Sequence, residues 1–293
     1  MKNMKIKVPR FNSEDQEREF WATHSPLDYF DSSKPLIKPD NTVLKQFNLE
    51  GESEFLPGGE GRTFRIRNTV LKHINTNTEE YTNWIADLFA GIKEKGFRVS
   101  RPLADTKGKW ITEDGWTAWT FLEGDSSFAG HIPESIKAIA AFHKAVKDVP
   151  RPRFLDDLNS PYARADAYAW GDKPLTIHPA LKEMVDDYYA LRKPIIGTKD
   201  QIIHGDLNPD NILASPNLPP AIIDMPPYWR PPEFALAIYA YWIGPWLNKP
   251  RVLEHFKGVK HFDQMLLRAA TRMLLSQSEF GRVKDLEAHK QAH

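Results

Sequence analysis

A charged, amide-rich loop between two short apolar runs constrains this chain more than any other feature. Residues 202–213 read IIHGDLNPDNIL, and a second apolar run leads directly into Asp224. Apolar runs of this length are typical of short buried strands. Strands on either side would hold Asp206, Asn211 and Asp224 at fixed positions, so we interpret the loop as a chemical site.

Each of these side chains has a use in phosphoryl transfer. Asp206 can accept a hydrogen bond from a substrate hydroxyl and orient it, while Asn211 and Asp224 offer the hard oxygen ligands that Mg²⁺ prefers. The metal would bridge nucleotide phosphates and neutralise developing charge. We interpret His204 as a residue that orients the loop through hydrogen bonds. Asp210 is an alternative metal ligand, although we favour a solvated position for it.

A glycine-rich turn between two predicted strands could cover the phosphates. The stretch LPGGEGRTF places Gly58, Gly59 and Gly61 where backbone N–H groups can approach an anion without interference from a Cβ atom. Taken alone, such a turn is more often a simple hairpin, so its function depends on the rest of the pattern.

The following strand carries Lys72, which can reach nucleotide phosphates if an acid on the next helix holds it. That helix is predicted over residues 76–96, where apolar residues recur with helical spacing and Gly96 can end it. Thr76 and Glu79 fit a capping box. Glu79 and Glu80 are the candidate partners of Lys72, and we favour Glu80 because Glu79 fits the cap.

Composition excludes several classes of function. The chain has no cysteine among its 293 residues, which rules out disulfides, thiolate metal sites and a cysteine nucleophile. Lys and Arg number 39, as do Asp and Glu, so net charge indicates neither nucleic acid nor a membrane surface as the partner. No signal peptide or membrane span is evident, and we expect a cytoplasmic protein.

The order of predicted elements divides the chain into three parts. Residues 1–46 read as an N-terminal extension that lies on a domain. It has a short predicted helix in residues 13–24, and residues 25–41 are rich in Pro, Asp and Ser, with little capacity to form a core. Residues 47–124 alternate strands and turns around one helix, as in a small nucleotide-binding lobe. Residues 125–293 are mostly helical and carry the catalytic loop. We therefore expect a two-lobed α+β fold.

The motifs HGDLNPDN and IIDM resemble the catalytic loop and the metal-binding segment of the aminoglycoside phosphotransferase and choline kinase superfamily, relatives of the protein kinases. The order of the lobes agrees from about residue 47 onward. FLPGGEGRTFRI and IDMPPYWRPPEFA look closer to a poorly characterised bacterial branch of that superfamily. The resemblance implies a protein-kinase-like fold and transfer of the ATP γ-phosphate, with Mg²⁺, to a hydroxyl of a small molecule.

The resemblance also implies a role for each motif residue. Asp206 would be the catalytic Asp, Asn211 and Asp224 would bind Mg²⁺, and Lys72 would contact the ATP phosphates. The adenine-binding hinge would be formed by Thr120, Phe121 and Leu122.

One segment departs from the pattern of the family. Typical members follow the metal-binding Asp with a Gly-Asp-Pro and Asp-Leu-Ala pattern that braces the loop, whereas this chain has MPPYWRPPEFALA. The departure leaves open how the loop is braced and what forms the substrate side of the site. Tyr228, Trp229 and Arg230 lie in this segment and are candidates for a wall of the substrate site.

Two other functions stay open. The stretch FNSEDQEREFWATHSPLDYFD is similar to the N-terminal segment of short CopG-type antitoxins. It raises the alternatives of a protein partner and of a kinase-type toxin acting on a macromolecule. The altered segment after Asp224 leaves room for a non-catalytic nucleotide-binding module.

Nothing indicates aminoglycosides as substrates, because these polycations need acidic pockets while residues 251–293 hold eight Lys or Arg and five Asp or Glu.

Overall fold

The computed structural model describes residues 37–56, 61–74, 79–126 and 130–279. The antitoxin-like stretch near the N-terminus lies outside these ranges. Within them, no helix combines the length and the apolar character that crossing a bilayer requires.

The N-terminal lobe is built on a five-stranded antiparallel sheet. Its strands are β1 (Glu54–Phe55), β2 (Thr63–Ile66), β3 (Thr69–His73), β5 (Pro102–Leu103) and β6 (Trp116–Thr120), in the spatial order β1-β2-β3-β6-β5. Strand β2 shows why this sequence is a strand. Phe64 and Ile66 are buried while Thr63 and Arg65 are partly exposed, which is the alternation that a sheet with one covered face requires.

A short helix, α1 (Asn41–Gln46), covers one face of this sheet. The Asp40 side chain caps it by accepting hydrogen bonds from two backbone N–H groups of its first turn. Val43 and Leu44 are buried in the same apolar cluster as Leu71 and Trp116. Helix α1 is therefore part of the core of the N-terminal lobe, although it lies within the segment that the sequence assigned to the N-terminal extension. Six residues were too few for a helical period to be evident.

Helix α2 (Glu79–Gly91) packs against the other side of the lobe, with Ile85 and Phe89 in the main core. It is shorter at its C-terminal end than the sequence predicted, because the chain leaves the helix at Gly91 and turns at Gly96 with a φ of 84°. The predicted cap at Thr76 lies outside the described residues.

A mixed sheet joins the two lobes. Its strands are β4 (Arg98–Val99), β7 (Asp125–Ser126), β9 (Ile212–Ser215) and β10 (Leu218–Ile222), in the order β4-β10-β9-β7. Strand β4 precedes the last two strands of the N-terminal sheet, β7 follows the inter-lobe connection, and β9 and β10 form the hairpin after the catalytic loop. This pairing fixes the loop relative to the N-terminal lobe.

The C-terminal lobe is mostly helical, as predicted. Its helices are α3 (Ile132–Ala145), α4 (Pro161–Trp170), α5 (Lys182–Ala190), α6 (Pro232–Ile243) and α7 (Phe262–Glu279), and strands β8 (Gln201–His204) and β11 (Pro227–Arg230) form an antiparallel pair. Helix α6 is buried on nearly every side and α7 packs against both α6 and α4. The predicted two-lobed α+β fold is confirmed.

The packing of α1 predicts the effect of a single truncation. Replacing Leu44 with alanine should lower the free energy of unfolding by about 2–4 kcal/mol, because a buried side chain is lost and a cavity is left. Lys45→Ala on the exposed face of the same helix should change it by less than about 0.5 kcal/mol. Denaturant melts of the two variants make the comparison, and equal stabilities would show that α1 is not part of the lobe.

Candidate active site

Strand β8 leads directly into residues 205–211, the predicted catalytic loop. Ile202 and Ile203 are fully buried, and β8 pairs with β11 in a register that sets His204 opposite Pro227. The chain then leaves the strand at Gly205, where a Cβ atom would lie 2.0 Å from the ring of Tyr228. Only glycine fits this close approach, so the sequence HGD is required by packing as well as by chemistry.

The loop holds its shape through its own amide side chains. Asn208 caps a 3₁₀ turn (Pro209–Asn211) by accepting hydrogen bonds from the N–H groups of Asp210 and Asn211. The amide nitrogen of Asn211 donates to the backbone oxygen of Asp206 at 2.7 Å and to its carboxylate at 3.3 Å. The nitrogen end of this amide is therefore committed to Asp206, which leaves the oxygen end as the atom available to a cation.

Asp224 reaches the site through an unusual backbone conformation. It follows strand β10, which is buried only at its last two residues, and has a φ of 55°, in the left-handed region that non-glycine residues seldom adopt. Asp is among the residues that tolerate this region best, and strained residues tend to cluster at functional sites. The turn places the carboxylate in the cleft beside the catalytic loop.

Three hydrogen bonds tie the catalytic loop to the segment that carries Asp224. The N–H of Gly205 donates to the oxygen of Pro226 at 2.8 Å, and the N–H of Ile223 donates to the oxygen of Asn211 at 3.1 Å. The third joins the Nε2 atom of His204 to the oxygen of Ile223 at 2.9 Å. The two loops therefore behave as one rigid unit.

Two buried histidines support this unit as neutral groups. The Nδ1 atom of His204 accepts from the N–H of Asp206, so its Nε2–H donates to Ile223. The Nε2 atom of His143 accepts from the N–H of His204, and its Nδ1–H donates to the oxygen of Ile139. Burial lowers the pKa of His204 to about 4 and that of His143 to about 3. The orienting role predicted for His204 agrees with these contacts.

Lys72 lies across the cleft on β3 and forms an ion pair with Asp224. Burial lowers the pKa of Lys72 from its usual value to about 8. Because this value still lies above neutral pH, most of the amine carries its charge there. Glu80 was expected to hold Lys72, but it is exposed at the start of α2, and none of the ion pairs between described residues joins them. Sequence spacing could not reveal which carboxylate the strand faces.

These groups line one cavity of about 720 Å³ between the lobes. The predicted hinge forms part of its wall, as do the catalytic and metal-binding candidates. The lining residues discussed here are Lys72, Thr120, Phe121, Leu122, Asp206, Asn211 and Asp224. The structure therefore brings together most of the site residues predicted from the sequence.

The glycine turn is only partly described. Gly58 and Gly59 lie outside the described residues, so their predicted contact with phosphate stays a prediction. Gly61 is buried and has a φ of 73°, a conformation that favours glycine, at the point where the chain enters β2.

The predicted wall of the substrate site is largely committed to packing. Tyr228 is buried beneath Gly205, and Arg230 forms ion pairs with Asp166 and Asp172. Trp229 is partly buried against the main core. These contacts place the segment among the supports of the site.

Opposing effects act on the Asp206 carboxyl group, and their net result is a pKa above its usual value. Burial raises the pKa of its carboxyl group, while Arg272 and hydrogen bonds from Asn208 and Asn211 lower it. Arg272 is a residue that the sequence analysis missed, because its only local context is an amphipathic helix far along the chain. Within the described ranges, no cluster of three or more His, Asp or Glu side chains forms a metal site by itself.

The buried histidines predict how stability depends on pH. In the unfolded chain a histidine titrates near pH 6.5, so between there and pH 3 the unfolded state binds more protons than the folded state. Folding stability should fall as pH falls through this range. From pH 7 to pH 5, His143 alone should cost about 2 kcal/mol.

The measurement compares the wild type with His143→Gln, which cannot be charged. Urea melts at pH 7 and pH 5 should show that the wild type loses more stability than the variant. Parallel losses in the two proteins would mean that His143 is not buried as a neutral group.

The comparisons with known proteins agree with this geometry. A model of the phosphotransferase enzyme family, APH, matches residues 53–225. Among curated proteins, none matches the sequence significantly.

Several solved structures share the fold at low sequence identity. The GDP and kanamycin complex of APH(2")-IIia has a TM-score of 0.54 at 15% identity, over 85% of this chain and 94% of that chain. Spectinomycin phosphotransferase APH(9)-Ia, in complex with ADP and spectinomycin, has a TM-score of 0.56 at 13% identity, over 85% and 91%. Choline kinase LicA from Streptococcus pneumoniae has a TM-score of 0.53 at 17% identity, over 86% and 97%.

The family match covers more than half of the 293 residues and includes the whole cleft from β1 to the segment carrying Asp224. With the two-lobed protein-kinase-like fold around it, this match identifies the chain as a member of the phosphotransferase enzyme family, a kinase that acts on a hydroxyl acceptor.

Proposed function

We propose that this protein transfers the γ-phosphate of ATP, with Mg²⁺, to a hydroxyl group of a small molecule. The observation that carries the proposal is the convergence of Lys72, Asp206, Asn211 and Asp224 on one inter-lobe cavity. A volume of about 720 Å³ lies within the range of cavities that bind cofactors and small ligands.

Asn211 and Asp224 fit a divalent cation. The Asn211 amide donates its nitrogen to Asp206, so its oxygen is the end that can bind a metal, and Asp224 adds a carboxylate on the same cavity wall. When bound, Mg²⁺ would offset the charge of the nucleotide phosphates. Asp210 is the weaker candidate, since its carboxylate accepts a hydrogen bond from Ser126 at 2.7 Å.

Lys72 supplies the positive charge on the opposite wall. Its ammonium group forms an ion pair with Asp224. An ammonium group can bind phosphate oxygens and a carboxylate can bind a metal ion, so together they suit a nucleotide phosphate with its metal. We assign Lys72 to the phosphate oxygens of ATP. The phosphates would then replace Asp224 as its partner.

The hinge assignment can be narrowed to particular atoms. Three polar groups of Thr120 are committed within the lobe. Its N–H donates to the oxygen of Arg101, its carbonyl accepts from Ser100 Oγ, and its hydroxyl accepts from the N–H of Arg101. The N–H of Phe121 donates to Asn68. We therefore assign the base contacts to the Phe121 carbonyl and to the backbone around Leu122.

Asp206 would act on the acceptor. Its carboxylate accepts the hydrogen bond of the substrate hydroxyl and orients the oxygen toward the γ-phosphorus. As the new P–O bond forms, the bond from phosphorus to the β–γ bridging oxygen breaks, ADP leaves, and the hydroxyl proton passes to Asp206. Proton transfer of this kind contributes about 10²–10⁴-fold in rate.

The metal assignment predicts a difference between two acidic residues. Calorimetric titration with ATP should show tighter binding when Mg²⁺ is present, and Asp224→Ala should remove most of that effect. Asp210→Ala is the matched control and should keep it, because Asp210 is bonded to Ser126. Binding that needs no metal, or that depends on Asp210 instead, would refute the assignment.

The role of Asp206 predicts a variant that binds but does not transfer. Asp206→Asn keeps the size of the side chain and removes the proton acceptor, so ATP affinity should change little while phosphate transfer falls by about 10²-fold or more. Transfer can be followed with γ-labelled ATP and a metabolite extract. Transfer that persists unchanged in the variant would exclude Asp206 as the acceptor of the proton.

The same pair of proteins separates the two acceptor classes. For a small-molecule kinase, bacteria should tolerate expression of either protein, and label should enter a metabolite pool only with the wild type. Growth arrest by the wild type alone would instead favour the kinase-type toxin. Equal arrest by both would point to a non-catalytic interaction module.

A further inference from the structure

A residue outside the segment matched by the family model is hydrogen-bonded to the backbone of the catalytic loop. Arg272 lies on α7, is only 2% exposed, and donates from Nη1 to the backbone oxygen of Gly205 at 2.6 Å. Gly205 immediately precedes Asp206. A buried charge in this position is costly unless it is paired and hydrogen-bonded, so its surroundings must account for it.

Those surroundings form a compact network. The Nε atom of Arg272 lies 3.8 Å from the carboxylate of Asp166 on α4, which is itself 2% exposed. Asp166 also accepts two hydrogen bonds from Arg230 at 2.8 and 2.7 Å. One buried carboxylate is therefore shared between two arginines that approach from different elements.

An aromatic contact completes the support. The guanidinium group of Arg272 lies 4.5 Å from the centre of the Tyr228 ring, and the same ring fills the space beside Gly205 where a Cβ atom would stand. Cations are attracted to the faces of aromatic rings. The loop thus rests on Tyr228 and is bonded to Arg272, and both contacts converge on Gly205.

The usual brace of the family has no counterpart on α6. The segment that replaces the Gly-Asp-Pro and Asp-Leu-Ala pattern forms β11 and the start of α6. The fully buried residues of α6 are all apolar or tyrosine. Glu233, in its first turn, is partly exposed, and its buried Oε2 atom has no hydrogen-bond partner among the described residues. A loop that must hold Asp206 in place therefore depends on contacts from another element.

We propose that Arg272, held by Asp166 and Tyr228, is the positioning residue of the catalytic loop in this protein. Arg272 is not among the residues that line the inter-lobe cavity, so we expect it to contact neither the acceptor nor the nucleotide. Its hydrogen bond to Gly205 fixes the backbone from which Asp206 projects, so it should act on turnover and not on ATP binding. This inference rests on the proposed function, since it assigns the support of the same catalytic residue.

Arg268 provides a matched control. It lies one turn earlier on α7, is 5% exposed, and donates to the backbone oxygens of Gln264 and Lys193, away from the loop. It also lies near an aromatic ring, 5.1 Å from the centre of Trp170. Replacing either arginine with methionine therefore removes a buried guanidinium group from the same helix, but only one replacement releases Gly205.

The kinetic test uses the slow release of phosphate from ATP, with water as the acceptor. Arg272→Met should lower kcat by about 100-fold, the effect of a misplacement near 1 Å, while KM for ATP stays within about threefold. Arg268→Met should leave both nearly unchanged. Arg272→Lys should recover part of kcat, because one donor can still reach Gly205. An unchanged kcat in Arg272→Met, or an equal loss in Arg268→Met, would overturn the proposal.

A second measurement does not depend on activity. Hydrogen exchange of the backbone amides in residues 203–213 should speed up in Arg272→Met and stay as in the wild type in Arg268→Met. Equal exchange in both variants would contradict the positioning role of Arg272 even if turnover of ATP is seen. If the wild type neither hydrolyses ATP nor transfers phosphate to the metabolite extract, the proposed function fails, and the exchange result still decides the role of Arg272.

Discussion

The site depends on the hydrogen bonds that join the catalytic loop to the segment carrying Asp224. Gly205 bonds to Pro226, and both Asn211 and His204 bond to Ile223. These contacts convert two loops that are separate in sequence into one rigid surface, so the proton acceptor and the metal-binding candidates are fixed relative to one another. Rigid placement matters because phosphoryl transfer is catalysed mainly by positioning and electrostatic stabilisation.

Charge in the cleft is arranged in opposing pairs. Lys72 forms an ion pair with Asp224, and Arg272, which is bonded to the backbone of Gly205, opposes the rise in the pKa of Asp206 through its charge. The two buried histidines between them are neutral, so they orient the loop without adding to its field. One cavity therefore carries the acidic side chain of Asp206, which we assign to the acceptor, and the cationic side chain of Lys72, which we assign to the nucleotide.

The sequence allowed predictions wherever a local pattern of residues indicates structure or chemistry. HGDLNPDN and IIDM are short, and the strands that flank them have strong apolar signals, so Asp206, Asn211 and Asp224 could be assigned to one site. Contacts across the fold were not predictable. The choice of Glu80 as partner of Lys72 required knowing which way α2 faces, and Arg272 lies 67 residues from Gly205, with nothing in its own helix to indicate a bond to the loop. The family resemblance predicted the fold. Because the segment after Asp224 departs from the family pattern, the sequence did not indicate which residues support the loop instead.

The most direct test of the central claim is a crystal structure with Mg²⁺ and a non-hydrolysable ATP analogue. The account predicts the base against the hinge at Phe121 and Leu122, the metal on Asp224 and the Asn211 amide oxygen, and Lys72 on the phosphates, no longer on Asp224. The γ-phosphate should face the Asp206 carboxylate. A nucleotide bound elsewhere, or a cleft in which Lys72 stays paired with Asp224 while the analogue is bound, would contradict it.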